Sequence, residues 1–315
     1  MNTEKEKNEN RDSVSRYNTV HRTVLLNEAI ESLNLKPGSI YFDGTLGGAG
    51  HVMKVCSDFN GSVQIIAVDR DGGAINRALE RLSKTNCKYN LVLSDYRNID
   101  NVLKNLGLEK VDAILLDLGL SSDQLDTSGR GFTFKNDEPL LMTFSDSSRE
   151  SVTAEIILNN WGEETIADII YAYADERYSR RIAKAIVESR KKEPIKTTFD
   201  LLKIIEGAVP NFYKRGKIHF ATKTFQALRI GVNDEISALK DGMKKGWELL
   251  NIGGRMAIIS FHSVEDREVK NFFREKSKDG NGILINKKPI VPKDEEVREN
   301  PRSRSAKMRV IEKTN

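Results

Sequence analysis

The stretch IYFDGTLGGAGH, residues 40–51, decides the fold of this chain. A short apolar run ends at Asp43, and a glycine-rich turn leads from it into a segment of helix length. Glycines in such a turn let the backbone bend sharply and approach a ligand closely, and the helix that follows offers free N–H groups. This arrangement is typical of the first strand and turn of a nucleotide-binding sheet, although a glycine-rich turn alone is a weak signal.

Further apolar runs of strand length recur at helix-length intervals along the chain. They are residues 63–69, 90–93, 111–117 and 253–260. Near-continuous apolar strands separated by helices are the pattern of a parallel sheet that is covered on both faces. The sequence therefore predicts an α/β fold with a doubly wound, Rossmann-like sheet. Two later runs, residues 283–285 and 308–311, are predicted to be edge strands.

Apolar runs of strand length stop recurring in the middle of the chain, where apolar residues follow helical spacing instead. We therefore predict an all-helical insert, residues 147–229, for substrate recognition. Residues 20–146 and 230–315 would form one discontinuous sheet domain around it. Residues 1–19 are almost all polar and of mixed charge, which predicts a disordered leader and excludes a signal peptide.

The bulk composition is that of an ordinary soluble protein. The net charge is only +4, so a role with nucleic acid depends on local clusters of basic residues. No apolar run approaches the length that spans a bilayer, so we expect no membrane association; two cysteines left as free thiols would fit a reducing cytoplasm, the expected location. Cys56 and Cys87 lack metal-ligand spacing and the histidines are scattered, so we expect no metal site and two free thiols.

Acidic residues close several predicted strands at the edge where open α/β sheets bind ligands. Asp69 ends the second strand and can accept hydrogen bonds from both ribose hydroxyls of an adenosine ligand; the alternative is that it caps the next helix. Asp117 ends the fourth strand. A nicotinamide dinucleotide usually requires G-x-G-x-x-G, whereas here Asp43 opens the loop, and its carboxylate repels phosphates and suits a cationic methionine group. We therefore predict S-adenosyl-L-methionine as the cofactor.

Longer blocks of the sequence are similar to a known family. They are HRTVLLNEA (21–29), the loop 43–51, LLDLGLSSDQLD (115–126), RGFTF (130–134), TKTFQALRI (222–230), ISFHSVEDR (259–267) and NPRSRSAK (300–307). In these blocks the chain resembles the bacterial ribosomal RNA small subunit methyltransferase H family, also called MraW. The resemblance implies a Rossmann-like methyltransferase with a helical insertion. Its implied reaction is transfer of a methyl group to the exocyclic N4 of a cytidine in the decoding region of 16S rRNA, within the small ribosomal subunit.

The resemblance also implies a set of cofactor contacts. By position they fall on Ala49, Gly50, His51, Asp69, Tyr96, Asp117 and Gln124. Tyr96 would pack against the adenine, while Asp117 and Gln124 would face the methionine end or the target base. The chain departs from the family pattern in two places: Ala49 stands where glycine is usual, and the usual PLDMRMD reads PLLMTFS at residues 139–145.

Methylation of a cytosine amine requires hydrogen-bond acceptors around it, because its lone pair is delocalised into the ring. We predict that Asp117 and Ser121 are catalytic residues at the end of the fourth strand. His262, just past the fifth strand, is predicted to take the released proton. An equally good interpretation of His262 is a loop histidine that bonds to the backbone.

Basic residues cluster in two places. Arg302, Arg304 and Lys307 are predicted to contact RNA phosphates from an exposed, extended C-terminal loop. The second cluster, residues 177–192, lies on an insert helix and is more simply interpreted as a solvated face. Two other functions stay open at this point: a nicotinamide-dependent oxidoreductase, and a non-catalytic ribosome-assembly factor on a methyltransferase fold.

Overall fold

A computed structural model describes residues 22–121, 124–125, 128–145 and 152–315. The predicted leader, residues 1–19, lies outside these ranges. Within them, no helix combines the length and the apolar character that crossing a bilayer requires.

The strands of the described chain form one mixed sheet. Their bounds are Ile40–Asp43 (β1), Gln64–Asp69 (β2), Lys88–Leu93 (β3), Val111–Asp117 (β4), Leu250–Ser260 (β5), Gly282–Leu284 (β6) and Lys307–Lys313 (β7). They lie in the order β3-β2-β1-β4-β5-β7-β6, with β1 to β5 parallel and β7 antiparallel to both of its neighbours. The strand order reverses between β1 and β4, where an open α/β sheet forms its ligand crevice. The predicted Rossmann-like α/β fold is confirmed.

The position of β7 differs from the prediction of two edge strands. β6 is an edge strand, with Ile283 56% exposed, but β7 lies between β5 and β6. Val310 and Ile311 of β7 are buried in the cores on opposite faces of the sheet. A short apolar run shows that a strand forms, but not whether it is paired on one side or on two.

Helices cover both faces of the sheet. The bounds are Leu26–Leu33 (α1), Gly50–Phe59 (α2), Gly72–Leu82 (α3), Ile99–Asn105 (α4), Ala154–Asn160 (α5), Glu163–Ala174 (α6), Ser179–Arg190 (α7), Thr198–Ala208 (α8), Asn211–Lys214 (α9), Thr222–Asn233 (α10), Glu235–Leu249 (α11), Ser263–Lys278 (α12) and Asp294–Glu299 (α13). Successive strand residues point to opposite faces. Tyr41 and Leu115 therefore pack with α1, α2 and α3, whereas Phe42 and Leu116 pack with α4, α11 and α12.

The helices α5 to α8 and α10 build a third apolar core apart from the sheet. This core includes Leu140 and Met142, which precede the predicted start of the insert, and α10 continues past Arg229, its predicted end. Asn233, the last residue of α10, donates a hydrogen bond from Nδ2 to the carbonyl of Met142 at 2.7 Å. The helical packing thus extends beyond residues 147–229, and the division into two domains stays a prediction.

The two cysteines correct another expectation. Cys56 in α2 and Cys87 before β3 form a disulfide, with their Cα atoms 5.7 Å apart. The expectation of two free thiols is therefore wrong. The parallel crossover brings residues that are 31 positions apart into contact, and cysteine spacing along the chain contains no sign of this proximity.

Candidate active site

A cleft opens at the carboxyl ends of β1, β2 and β4. The predicted site residues that line it are Gly50, His51, Asp69, Tyr96, Asp117, Ser121, Gln124 and Arg302. Ala49, His262, Arg304 and Lys307 lie outside its lining. The structure thus brings most of the predicted cofactor contacts to one place.

The glycine-rich turn brings the backbone against the cleft. Gly47 has a φ of 47° and Ala49 a φ of 60°, so both take the left-handed conformation that lets the chain reverse between β1 and α2. At Gly50 a Cβ atom would lie 1.7 Å from Oγ1 of Thr23. The absence of a side chain therefore allows the segment before α1 to close one side of the cleft.

Asp43 does not face the cleft, which corrects the expectation that it meets a cationic ligand. Its side chain shares a strand face with Tyr41, and its carboxylate accepts hydrogen bonds from the Tyr41 hydroxyl (2.9 Å) and the Thr45 amide (3.0 Å). Burial raises the pKa of Asp43 to about 6, although both hydrogen bonds act to lower it. Asp43 therefore stabilises the glycine-rich turn through its hydrogen bond with the Thr45 amide.

Asp69 lies in the cleft wall with both carboxylate oxygens fixed. Oδ2 accepts from the Gly47 amide at 2.8 Å and Oδ1 from the Asp71 amide at 2.9 Å. The alternative role of capping α3 belongs to Asp71 instead, since its side chain accepts from the Gly73 amide. Each Asp69 oxygen retains a further acceptor site, so the carboxylate is positioned to bind two donors of a ligand.

The ring of Tyr96 fits between two glycines. A Cβ at Gly44 would lie 2.8 Å from Cβ of Tyr96, and a Cβ at Gly242 on α11 would lie 2.6 Å from Cδ2 of its ring. Both glycines therefore make room for the aromatic ring in the cleft wall. Asp95 precedes it at the start of a short 3-10 helix and lines the same cleft.

Asp117 ends β4 beside the glycine-rich turn. Its amide donates to Oγ1 of Thr45 at 2.6 Å, and Oδ2 lies 4.0 Å from Nδ1 of His51. Oδ1 is buried and has no hydrogen-bond partner among the described residues. Burial, with the nearby carboxylates of Asp43 and Glu265, raises the pKa of Asp117 well above its usual value. Because an unpaired buried oxygen is costly, this atom indicates a ligand that carries hydrogen-bond donors.

Ser121 and Gln124 bind each other at the rim of the cleft. Oε1 of Gln124 accepts from the Ser121 amide at 3.0 Å, and Oγ of Ser121 accepts from the Gln124 amide at 3.2 Å. Residues 122–123 between them lie outside the described ranges. The reciprocal bonds fix the loop that follows Asp117 and present its polar groups to the cleft.

The sequence interpretation missed a buried ionic cluster in the cleft wall. Glu235, at the start of α11, accepts two hydrogen bonds of 2.8 Å from Arg229, and Glu265 on α12 lies 3.1 Å from Nε2 of His262. Burial favours a higher pKa for Glu265, but His262 and Arg229 offset it, and the pKa is lowered. Both glutamates line the cleft, so the acidic wall has its countercharges behind it.

His262 takes the position of a helix cap. Its Nδ1 accepts from the Glu265 amide at 3.3 Å at the start of α12, which matches the interpretation of a histidine bound to the backbone. It stands behind Glu265 and not in the cleft lining. Its predicted role as a proton acceptor stays a prediction, and this geometry does not favour it.

The segment PLLMTFS, residues 139–145, reaches the cleft through Phe144, which the sequence interpretation did not single out. The Phe144 ring stacks on Phe132 with centroids 5.7 Å apart, and the guanidinium carbon of Arg70 lies 5.5 Å from its centroid. Its amide donates to Oδ1 of Asn233 at 2.9 Å. The segment that departs from the family pattern therefore forms part of the cleft wall.

The C-terminal basic residues differ in their surroundings. Pro301–Ser305 forms a 3-10 helix and not the predicted extended loop, because proline in a first helical turn needs no N–H. Arg302 is exposed and lines the cleft, Arg304 is exposed outside it, and Nζ of Lys307 lies 3.5 Å from the Asp266 carboxylate. Of the three, Arg302 is best placed to meet a ligand in the cleft.

Comparison with known proteins agrees with this geometry. A family model described as the MraW methylase family matches residues 18–314. The chain belongs to the MraW methylase family. A ribosomal RNA small subunit methyltransferase H from Brevibacillus brevis is 44% identical over 308 residues, which cover 93% of this chain and 98% of that protein. A protein of the same name from Acetivibrio thermocellus is 44% identical over 310 residues and covers the same shares.

Membership of the MraW methylase family settles the reaction class. The chain is a methyltransferase, and its cofactor is S-adenosyl-L-methionine, as the sequence predicted. The alternative of a nicotinamide-dependent oxidoreductase is therefore wrong.

Ala49 gives a testable departure from the family's usual glycine. We expect Ala49→Gly to leave the free energy of unfolding within about 0.5 kcal/mol of the parent protein, because relief of the left-handed backbone offsets the loss of one buried methyl group. Ala78→Gly, at an equally buried site inside α3, is the control and should cost about 1–2 kcal/mol. Urea denaturation measures both. Equal losses in the two variants would show that the backbone at Ala49 carries no strain.

Proposed function

We propose that this protein methylates the exocyclic N4 of a cytidine in the decoding region of 16S rRNA, within the small ribosomal subunit. The shared name of its relatives, ribosomal RNA small subunit methyltransferase H, supports ribosomal RNA as the substrate. The observation that carries the proposal is the carboxylate of Asp117 at the end of β4, whose Oδ1 is buried and has no hydrogen-bond partner in the part of the chain that the structure describes. Such an acceptor suits an exocyclic amine, which brings hydrogen-bond donors and must lose a proton.

The cleft residues fit S-adenosyl-L-methionine. The open acceptor sites of Asp69 suit the two ribose hydroxyls, and the Tyr96 ring offers an apolar surface for the adenine. The turn at Gly47 and Gly50 exposes backbone where a Cβ would intrude. When bound, the cofactor supplies an electrophilic methyl group on a sulfonium.

Asp117 acts on the target amine in this proposal. The base must leave the RNA stack to enter the cleft, and a hydrogen bond from N4 to Oδ1 of Asp117 orients the amine. An N4 amine that gains a methyl group must also lose a proton. The carboxylate, whose pKa is raised by burial, accepts that proton more readily than an ordinary aspartate. Ser121 and Gln124 hold the loop around the base.

The RNA backbone is proposed to lie along the C-terminal 3-10 helix. Arg302 reaches the cleft lining and Arg304 is exposed beside it, so phosphates that flank the target base would meet these two guanidinium groups. The Lys307 ammonium group is paired with the Asp266 carboxylate, so it would contribute less to phosphate binding. The basic residues position the strand, while the cleft selects the base.

Replacing Asp69 tests the cofactor assignment. Asp69→Asn preserves the shape of the side chain but removes its charge, so we expect S-adenosylhomocysteine to bind about 10- to 100-fold more weakly. Isothermal calorimetry measures the affinity. Asp71→Asn is the matched control, because Asp71 caps α3 and does not line the cleft; its affinity should stay within about twofold. Unchanged binding by a folded Asp69→Asn protein contradicts the ribose role.

Mass spectrometry of 16S rRNA nucleosides tests the function itself. Small subunits from cells that lack the enzyme are incubated with the protein and S-adenosyl-L-methionine, and N4-methylcytidine is expected only when both are present. Nuclease mapping then locates the modified nucleotide. A methyl group on another base atom contradicts the proposed target. Normal cofactor binding without any methylation supports the alternative of a non-catalytic assembly factor.

A further inference from the structure

A cluster of aromatic rings and arginines lies on the helical segment, outside the cleft. Arg177, between α6 and α7, holds its guanidinium carbon 4.9 Å from the ring centroid of Tyr178, 5.2 Å from that of Tyr213 and 5.7 Å from that of Phe212. The guanidinium carbon of Arg181 on α7 lies 5.8 Å from the Tyr178 centroid. We call these five residues the Arg177 cluster.

The base of the Arg177 cluster is fixed, and its outer side is open. The rings of Tyr178 and Tyr213 meet edge to face, with centroids 4.9 Å apart. The buried Glu176 accepts hydrogen bonds from the Tyr178 amide and the Tyr213 hydroxyl. Phe212, in contrast, is 65% exposed. A phenyl ring so exposed contributes little to the stability of the fold, so the cluster presents a preformed ring to a partner.

The charge around the cluster is positive. The exposed basic residues on α7 and the segment after α9 are Arg180, Arg181, Lys184, Arg215 and Lys217. Among the nearby acids, Glu188 and Glu206 are paired with Lys184 and Lys214, and the carboxylate of Asp175 accepts from Oγ of Ser263. Rings interleaved with cations match the chemistry of single-stranded nucleic acid, in which bases stack and phosphates attract cations. Aromatic residues and arginine are also enriched at protein interfaces, but lysine is depleted there, so the exposed Lys184 and Lys217 favour nucleic acid over a protein partner.

The Arg177 cluster lies close to the proposed active site. Asp175, the C-cap residue that follows α6, accepts a hydrogen bond from Oγ of Ser263 at 3.3 Å. Ser263 begins α12, and Glu265 on the same helix lines the cleft. Arg177 is two residues beyond this contact. The cluster therefore lies beside the helix that forms part of the cleft wall.

We propose that the Arg177 cluster binds a single-stranded segment of the RNA substrate near the target nucleotide. Phe212 stacks on an unpaired base, and Arg177 contacts an adjacent phosphate while it remains over the rings. The identity of the RNA rests on the proposed function, but the stacking itself does not depend on methyl transfer.

The test uses the full chain and a fluorescent cytidine oligonucleotide of about twelve nucleotides, which is within the span of known single-strand sites. Phe212→Leu keeps the apolar bulk but removes the ring, whereas Phe212→Tyr keeps the ring. Phe199→Leu is the control, because Phe199 is also exposed, at 43%, but lies on α8 outside the cluster. Anisotropy gives the affinity, and steady-state methylation of small subunits gives kcat and KM.

We expect Phe212→Leu to weaken binding of the oligonucleotide at least about fivefold. KM for the subunit should rise by a similar factor, with kcat and S-adenosylhomocysteine affinity unchanged. Phe212→Tyr and Phe199→Leu should stay within about twofold of the parent protein. Arg177→Gln should lower the salt dependence of binding by about one phosphate contact.

Equal affinities of Phe212→Leu and Phe199→Leu for the oligonucleotide overturn the inference. So does a raised KM for subunits with unchanged oligonucleotide binding, since the ring would then meet a ribosomal protein. The proposed function is tested separately by the parent protein: if it methylates nothing yet binds the oligonucleotide through Phe212, the function fails and this inference stands. If the parent protein methylates normally and Phe212→Leu behaves like the parent, the proposed function stands and this inference fails.

Discussion

Asp117→Asn is expected to lower kcat for methyl transfer by about 100-fold or more, the usual contribution of a positioned acid–base group. The amide keeps the size of the side chain but cannot accept the proton that N4 releases. KM for the RNA should change little, because the arginines proposed to contact phosphates, Arg302 and Arg304, are intact. Single-turnover methylation of small subunits, with the enzyme in excess, measures the effect on the chemical step.

The same substitution is expected to stabilise the fold. In the parent protein Oδ1 of Asp117 is buried without a hydrogen-bond partner among the described residues, and an amide, which carries no charge to desolvate, removes about 1 kcal/mol or more of that cost. Asp112→Asn, on the same strand, is the matched control: its oxygens accept from the Ile40 amide (2.8 Å) and Nδ2 of Asn251 (2.7 Å). It should lose stability and keep kcat. A less stable Asp117→Asn protein with normal kcat contradicts both roles of Asp117.

Asp43 gives the second large expected effect, a pH-dependent stability. Its pKa is raised from 3.8 to about 6 by burial, so the folded state binds the proton more tightly than the unfolded state. The associated stability is present below about pH 4 and is lost as the pH rises through about 6, a loss of about 3 kcal/mol. Asp43→Asn cannot titrate. Its stability relative to the parent protein should therefore rise by about 2–2.5 kcal/mol between pH 4 and pH 8.

Urea denaturation at several pH values between 4 and 8 measures this difference. Asp58→Asn serves as the control, since Asp58 is exposed on α2 and pairs only with Lys54 within the described structure. Its stability difference from the parent should be nearly constant over the same range. A flat difference for Asp43→Asn would mean that the Asp43 carboxyl is not desolvated as the fold indicates.

Local pattern was sufficient for much of the fold and for one side of the cleft. Alternation along a strand places Tyr41 and Phe42 on opposite faces, and the end of a parallel strand must lie at the ligand edge. Asp69 and Asp117 were predicted at this edge in this way, since each ends a recognisable apolar run, whereas Tyr96 was implied by the family resemblance. The same alternation could have predicted the face of β1 on which Asp43 lies, because Asp43 is two residues from the buried Tyr41.

The other side of the cleft could not be predicted, because it depends on how separate elements pack. Glu235 reaches the cleft only because α11 follows α10 after a turn at Asp234, and Phe144 reaches it through a hydrogen bond to Asn233. Neither residue lies in a pattern with its own chemistry. The spacing of Cys56 and Cys87 along the chain likewise did not predict their disulfide, because their contact arises from a crossover between strands.

The helical segment also affects how the chain must fold. It separates β4 from β5, yet these strands are neighbours, with Leu115 paired to Ala257. Pairing strands so distant along the chain is slow when the intervening residues are a loose loop, because closing that loop costs entropy. Helices α5 to α8 and α10 form local contacts that can develop earlier. These contacts shorten the flexible chain that connects β4 to β5. A core residue such as Leu158, remote from the sheet, should therefore influence the rate at which the sheet closes.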